Sequence, residues 1–287
     1  MKALLWAVLL TGPVLAEVRV EFAFTSPRTE NLLTNPSFEQ VEAGVPSGWR
    51  WTTADAANFE VSSDAIGHDG ARSLKIVTHT ARMSGYLGQV VRVLPETDYL
   101  LTAWLRLEQG IYLTWVRASM AGGQRLDPAF DRRVYAFGGL GGSLVPVFLK
   151  AEWLPGQLPL AWRPVALRFR TPARVEELGV SIGSHFRAGT GWYDDLQLTR
   201  FPGELVCTVT ADEDLRAVTV YDHTPNQPWR RSTDAGQAVA ELAAAPAGTR
   251  RWAAPVTTQS GALQFRVKVV TAAGEEWRDW PNGTETW

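Results

Sequence analysis

The sequence predicts an all-β protein made of two β-sandwiches, a larger one followed by a smaller one. Apolar and polar residues alternate with a period of two in segment after segment, while helical periodicity is scarce. The alternating segments are bounded by Gly, Pro and Thr-Pro turn signals, and many short strands so punctuated argue for sandwiches. At 287 residues the chain is long enough to bury an ordinary core in one or two domains.

Residues 1–16 carry one lysine, the apolar run Leu4–Leu10, a helix-breaking Gly12-Pro13 pair and Ala16 before the charged Glu17. That order predicts a secretory signal peptide, and its apolar run is too short to span a bilayer. The only cysteine is Cys207, so no Leu-x-x-Cys lipid-attachment pattern follows the run. The expectation is a protein that is secreted or periplasmic, with no lipid anchor and no membrane insertion.

Residues 17–201 form the expected first sandwich. Tyr99, Leu101, Ala103, Leu105 and Leu107 fall on one face of a strand, with Thr102, Trp104 and Arg106 on the other. Val165, Leu167 and Phe169 alternate with Ala166, Arg168 and Arg170, as Leu178, Val180 and Ile182 do with Gly179, Ser181 and Gly183. From 120 to 161 the alternation loosens into glycine clusters and Pro-containing turns, which reads as an elaborated insertion of functional or mobile character. Phe201-Pro-Gly203 reads as a linker. Beyond it, residues 204–287 restart the alternation at Leu205, Cys207 and Val209, and again at Leu263, Phe265, Val267 and Val269. This second domain fits an immunoglobulin- or fibronectin type III-like sandwich. Ala238–Ala247 is either a short helix or a strand and loop.

Composition narrows the chemistry. A net charge of −2 with mixed signs provides no global basic field for nucleic acid or anionic membrane. One cysteine excludes an intramolecular disulfide. His68, His79, His185 and His223 are scattered without metal-binding spacing, Gly-x-Ser-x-Gly is absent, and the sequence places no carboxylate pair across a cleft. Asp212, Glu213 and Asp214 read as a solvated turn. Nothing demands an enzyme. Thirteen tryptophans against three methionines suit both a sandwich core and platforms for stacking sugars.

Two motifs bracket the first domain: Asn31-Leu-Leu-Thr-Asn-Pro-Ser-Phe-Glu39, with Pro46-Ser-Gly-Trp49 just after it, and Gly191-Trp-Tyr-Asp-Asp-Leu-Gln-Leu198. Together they resemble the opening and closing strands of galactose-binding-like jelly rolls found as carbohydrate-binding modules, similar to families 4, 9 and 22. The resemblance implies an N-terminal jelly roll and a structural calcium where the two brackets meet. Its oxygens would come from Glu39, the turn at Asp69, and the Asp194-Asp195 pair, a hard donor set of the kind calcium takes. Strand parity puts Asp194 on the side of Leu196 and Leu198, facing inward, where a carboxylate needs an ion or hydrogen-bond donors. A salt bridge or a backbone-capping aspartate would satisfy it equally.

The candidate sugar platform consists of aromatic residues that alternation turns away from the core, with arginines to direct hydrogen bonds. These are Trp104 and Arg106 on one strand, Tyr112, Trp115 and Arg117 on the next, and Trp51 past the opening loop. Packing against the other sheet is the competing role for each. Trp49 and Trp192 read as framework, and Trp153 and Trp162 as a rim. The favoured function is non-catalytic binding of a polysaccharide or cell-surface glycan. A structural or adhesive envelope module and a glycan-active jelly-roll enzyme stand as alternatives, because fold does not fix function.

Overall fold

The computed structural model describes residues 17–51, 56–80, 84–119, 130–138, 144–145, 161–185, 187–222, 237–258 and 263–280. The leader at 1–16, His223, Trp153 and most of the 120–161 stretch lie outside the described residues. In chain order the strands begin with β1 (Val18–Phe24), β2 (Val41–Glu42), β3 (Val45–Pro46), β4 (Arg50–Trp51), β5 (Phe59–Asp64), β6 (Ser73–Thr78) and β7 (Gly85–Arg92). They continue with β8 (Asp98–Leu107), β9 (Gly110–Ser119), β10 (Asp131–Gly138), β11 (Leu144–Val145), β12 (Arg163–Arg170), β13 (Glu177–Ser184) and β14 (Gly189–Arg200). The last are β15 (Leu205–Ala211), β16 (Leu215–Asp222), β17 (Gln237–Leu242), β18 (Arg251–Val256), β19 (Phe265–Thr271) and β20 (Glu275–Trp280).

The jelly roll is a six-stranded antiparallel sheet, order β11-β10-β9-β13-β7-β4, facing a five-stranded one, order β12-β8-β14-β6-β5. Alternation sends Leu87, Val180, Ile182 and Tyr112 from the first sheet and Leu74, Ile76, Leu101, Leu105 and Tyr193 from the second into one core. The opening bracket is tied to the closing strand. Asn31 Oδ1 accepts the Leu33 and Leu198 N–H groups, its Nδ2 donates to the Leu196 carbonyl at 2.9 Å, and Leu196 N–H donates to the Pro36 carbonyl. Asn35, at φ 47°, donates to the Gln40 and Ser47 carbonyls, and Trp49 Nε1 donates back to the Asn35 carbonyl. The Asn-Pro-Ser and Pro-Ser-Gly-Trp motifs are therefore one hydrogen-bonded corner.

The second sandwich has a three-stranded sheet, β1-β15-β18, and a four-stranded sheet, β17-β16-β19-β20. Its core gathers Cys207, Val209, Val218, Val220, Phe265, Val267 and Val269. The order corrects the domain boundary at residue 17. Strand β1 pairs with β15 through seven register partners, Val18↔Ala211 to Phe24↔Leu205, so it belongs to the second sandwich and the jelly roll is inserted after it. Phe22 stacks on Phe265 at 5.3 Å and on Trp280 at 4.6 Å, which fixes β1 there. Alternation marks a strand but not its partner, because pairing is non-local. Two crossings connect the sandwiches, with Thr25 N–H donating to the Glu204 carbonyl and Ser26 N–H to the Pro202 carbonyl. Leu100 and Ala166, on the outer side of the five-stranded sheet, join the second core, and Leu263 N–H donates to the Ala166 carbonyl at 3.0 Å.

Two further expectations change. The 120–161 stretch contains β10 and β11, and β10 pairs with β9 from Asp131↔Arg117 to Gly138↔Gly110, so part of the supposed insertion widens the six-stranded sheet. The alanine-rich segment is strand β17 and a following loop, paired with β16.

Candidate functional site

The acidic residues of the brackets meet at a bulge in β14. Between Asp194 and Gln197 the register with β8 slips, and Asp195 takes φ 45°. The slip overturns the parity argument for Asp194. That residue pairs with Trp104 on the outer side of the five-stranded sheet, and the extra residue is what returns Leu196 and Leu198 to the core. Asp194 is nonetheless 0% exposed, because the loop before β6 folds over it. Its Oδ2 accepts His68 N–H at 2.6 Å and its Oδ1 accepts Asp195 N–H at 2.8 Å. Burial pushes its carboxyl up to about 7, against the pull of the His68 N–H and with added repulsion from Asp195.

Glu39 holds the other end of that loop. Its Oε1 accepts the N–H groups of Ala71 and Arg72 at 2.8 and 2.9 Å, and a Cβ on Gly70, whose φ is +83°, would sit 2.4 Å from it. The Asp195 carboxylate meets His68 Nδ1 at 2.6 Å. Burial raises its pKa, the His68 bond lowers it, and the charges of Asp69 and Glu39 raise it further. The sequence-predicted acids Glu39, Asp69, Asp194 and Asp195 are thus brought into one electrostatically coupled cluster. The set is all oxygen, matching a hard cation chemically, with Glu39 and Asp194 serving as backbone caps. Among the described residues no three acidic, histidine or cysteine side chains are disposed to hold a metal ion.

The platform residues do not come together. Trp104 does face away from the core, but it is 4% exposed because the His68 ring lies on it at 3.8 Å and 14°, with Trp162 edge-on to His68. Tyr112 is core, fully buried, with its hydroxyl donating to the Ile76 carbonyl at 2.8 Å. Trp51 pairs with Leu87 on the core side and packs edge-on against Phe59. Arg106 lies over Trp192 on the outer side of the five-stranded sheet, beside Lys75. These corrections share a cause: alternation assigns a residue to a side of its own strand, not to a sheet, and neighbouring loops then cover it.

Trp115 and Arg117 do occupy outward register positions of the six-stranded sheet. Across it runs the row Arg50, Gly88, Ser181, Trp115 and Arg133, flanked by Val90, Gly179, Arg117 and Asp131 on one side and by Tyr86, Gly183, Leu113 and Tyr135 on the other. Arg50, Val90, Arg92 and Arg117 are exposed, Tyr86, Gly88 and Gly179 are half-buried, and Ser181 and Gly183 are buried. Gly183 is required by close packing, since a Cβ there would lie 2.1 Å from the Gly85 carbonyl oxygen. Gly179 faces open space, its added Cβ meeting only the Arg117 carbonyl oxygen at 3.9 Å. At one end Tyr86 Oη and Ser84 Oγ contact His185 Nδ1 at 2.9 and 3.2 Å. Sequence reasoning did not single out Arg50, Tyr86, Gly179 or His185 for this face; a glycine inside the alternating strand at Gly179 was the available signal.

A cavity of about 1090 Å³ opens at the end of the jelly roll, with Leu32, Leu94 and Tyr99 among its lining. Arg92, Arg174 and Arg200 there are balanced by Glu30, Glu176 and Glu177.

No family model and no curated protein matches the sequence. Among solved structures, the chain is similar to the enzymatically active domain of tailspike protein 4 of bacteriophage CBA120, at 13% identity and a TM-score of 0.44 over 58% of this chain. It spans only 21% of that protein. It is also similar to the TmCBM61 module in complex with β-1,4-galactotriose, at 23% identity and a TM-score of 0.36, covering 60% of this chain and 99% of the module. The CBM22-1 xylan-binding domain of Xyn10C from Paenibacillus barcinonensis gives 14% and 0.39, with 63% and 99% covered. Structures similar to this chain thus include carbohydrate-binding modules of several families.

Proposed function

We propose that this is an exported, non-catalytic glycan-binding protein whose ligand lies on the outer side of the six-stranded sheet. One observation carries the reading: Gly179 on β13 leaves bare backbone diagonal to the outward register position of Trp115, an added Cβ there meeting only the Arg117 carbonyl oxygen at 3.9 Å. Glycine inside a strand weakens it, and its use there suits close approach of another molecule. A sugar ring needs open backbone to approach, with an aromatic residue and polar groups near it. Export rests on the apolar leader at residues 1–16.

Calcium belongs to the same proposal as a structural ion. Glu39, Asp69, Asp194 and Asp195 would hold it, and its charge would offset the burial, and after it the mutual repulsion, that raise both aspartate pKa values. That reading requires carboxylate oxygens beyond those capping the loop to turn toward the ion.

Gly179→Trp tests the location of the site. The added side chain meets open space, so the melting temperature should hold while it obstructs the open backbone. Calorimetric titration of β-glucans, xylans, mannans and galactans should show binding to wild type and at least tenfold weaker binding to the variant. Equal binding by both proteins would move the site elsewhere, and no binding by wild type would remove the function.

A further inference from the structure

We infer that the glycan carries an aliphatic acyl group and that the cavity at the end of the jelly roll receives it; the inference rests on the glycan reading above. Among the described residues three large apolar side chains are exposed, Leu32 at 38%, Val90 at 66% and Leu94 at 48%. Exposed apolar residues scattered singly over a surface need no explanation, but these three gather at one place. Leu32 and Leu94 line the cavity. Val90 is the cross-strand partner of Gly179, and the next pair on the same side of these two strands, Arg92 and Glu177, belongs to the cavity lining. From the open backbone at Gly179 to that lining is two residues, about 7 Å. A chain-like substituent on a sugar seated at Gly179 therefore reaches the cavity past Val90.

The walls of the cavity are aliphatic and held in place. Val93 N–H donates to the Glu176 carbonyl at 3.0 Å and Thr171 Oγ1 to the Leu94 carbonyl at 2.7 Å, which joins the β7–β8 and β12–β13 turns. Leu32 N–H donates to the Leu198 carbonyl at 2.9 Å while Leu33 is buried, so the backbone holds Leu32 outward. With Val93 and Val175 the two leucines offer hydrocarbon surface, and the aromatic residue of the lining, Tyr99, is 1% exposed. That suits an alkyl chain better than a stacked sugar ring. Tyr99 supplies a polar contact: its Oη accepts Leu94 N–H at 2.9 Å, which fixes the hydroxyl at the wall, and its own proton has no acceptor among the described residues. Such a buried donor matches the carbonyl oxygen of an ester or amide linkage. Arg92, Arg174 and Arg200 against Glu30, Glu176 and Glu177 give the lining no net charge, so the fitting ligand is a neutral acyl glycan, not a free fatty acid or an anionic lipid. A volume of about 1090 Å³ lies at the upper end of small-molecule sites, roughly 300–1,000 Å³, and holds a chain longer than acetyl.

The test titrates the full chain with cellobiose, xylobiose, mannobiose and galactobiose, each unmodified and as its mono-O-butanoyl, hexanoyl and octanoyl ester, below micellar concentrations. For one disaccharide or more, affinity should rise about three- to fourfold per added methylene, and the octanoyl ester should bind about two- to tenfold tighter than the octyl glycoside of the same sugar, which lacks the carbonyl. Leu32→Asn and Leu94→Asn change exposed side chains and keep the backbone bonds, so each should hold its melting temperature while octanoyl binding weakens at least fivefold and binding of the unmodified sugar stays as it is. Esters binding no better than unmodified sugars, with the polysaccharides of the earlier titration still bound, would overturn the inference and leave the glycan reading standing. Octyl glycosides equal to octanoyl esters would overturn the acyl assignment. N-octanoyl-glycinamide, the same acyl group on a peptide head, binding as tightly as any ester would overturn it in favour of an acylated peptide. A dimer in sedimentation that Leu94→Asn dissociates, without any effect of acylation, would give the leucines to a second copy of the chain. Binding of no ester and no polysaccharide would remove the glycan reading itself.

Discussion

Protonation of Asp194 should set the pH dependence of the ion-free protein, in the direction opposite to ordinary acid unfolding. Its carboxyl is buried and pushed from 3.8 up to about 7, so between those values the native state holds a proton that the unfolded chain has released. Stability contributed by this group is therefore lost as pH rises through that window. Each pH unit is worth about 1.4 kcal/mol, so the roughly three-unit window bounds the effect at about 4 kcal/mol. The perturbation is Asp194→Asn, which cannot titrate; differencing it against wild type removes the other carboxylates. Urea unfolding followed by tryptophan fluorescence, on protein stripped of divalent ions at half-unit steps from pH 4.5 to 7.5, measures the difference. Wild type should lose stability relative to the variant as pH rises. Adding calcium should flatten the wild-type slope and raise its stability, by about 2.7 kcal/mol at a hundred times the dissociation constant. Parallel pH curves for the two ion-free proteins would refute the assignment of a destabilised carboxylate, and an unchanged wild-type slope with calcium would refute the ion site.

Phe22→Ala should destabilise the second sandwich by about 2–3 kcal/mol, less than a full core truncation because the ring is only half-buried, yet it loses two aromatic stacks. Two-probe denaturation that showed the jelly roll weakened instead would return β1 to the first domain. Trp104→Ala should cost about 3–5 kcal/mol of folding free energy and leave the intrinsic glycan affinity of the folded protein unchanged, since the ring lies under His68. Melting curves beside titrations separate the two effects, and a loss of affinity in a fully stable variant would restore Trp104 to the binding site.

The strands and their inward faces were legible in the sequence because the side-chain period of a strand is a local property. Leu101 and Leu105, Leu178 and Ile182, and Val267 and Val269 reach their cores as alternation requires. The two brackets were legible as well, since a short motif such as Asn31–Glu39 carries its own turn chemistry, and that chemistry closes on β14. Which sheet a strand joins was decided only in three dimensions. Val18–Phe24 alternates as well as any strand of the jelly roll, yet Phe265 and Trp280 capture it for the other domain. The candidate site shows the same division. Sequence named the four acids, but the bulge at Asp195 set the direction of Asp194, and one extra residue inverts every parity downstream of it. It named Trp104 and Trp115 as equals, and only the fold put one beneath a histidine loop and the other at an outward position of the glycine-lined sheet. Period and turn chemistry act between neighbours in the chain; register, cover and charge distribution arise between strands far apart in it, where the amino-acid order leaves no local trace.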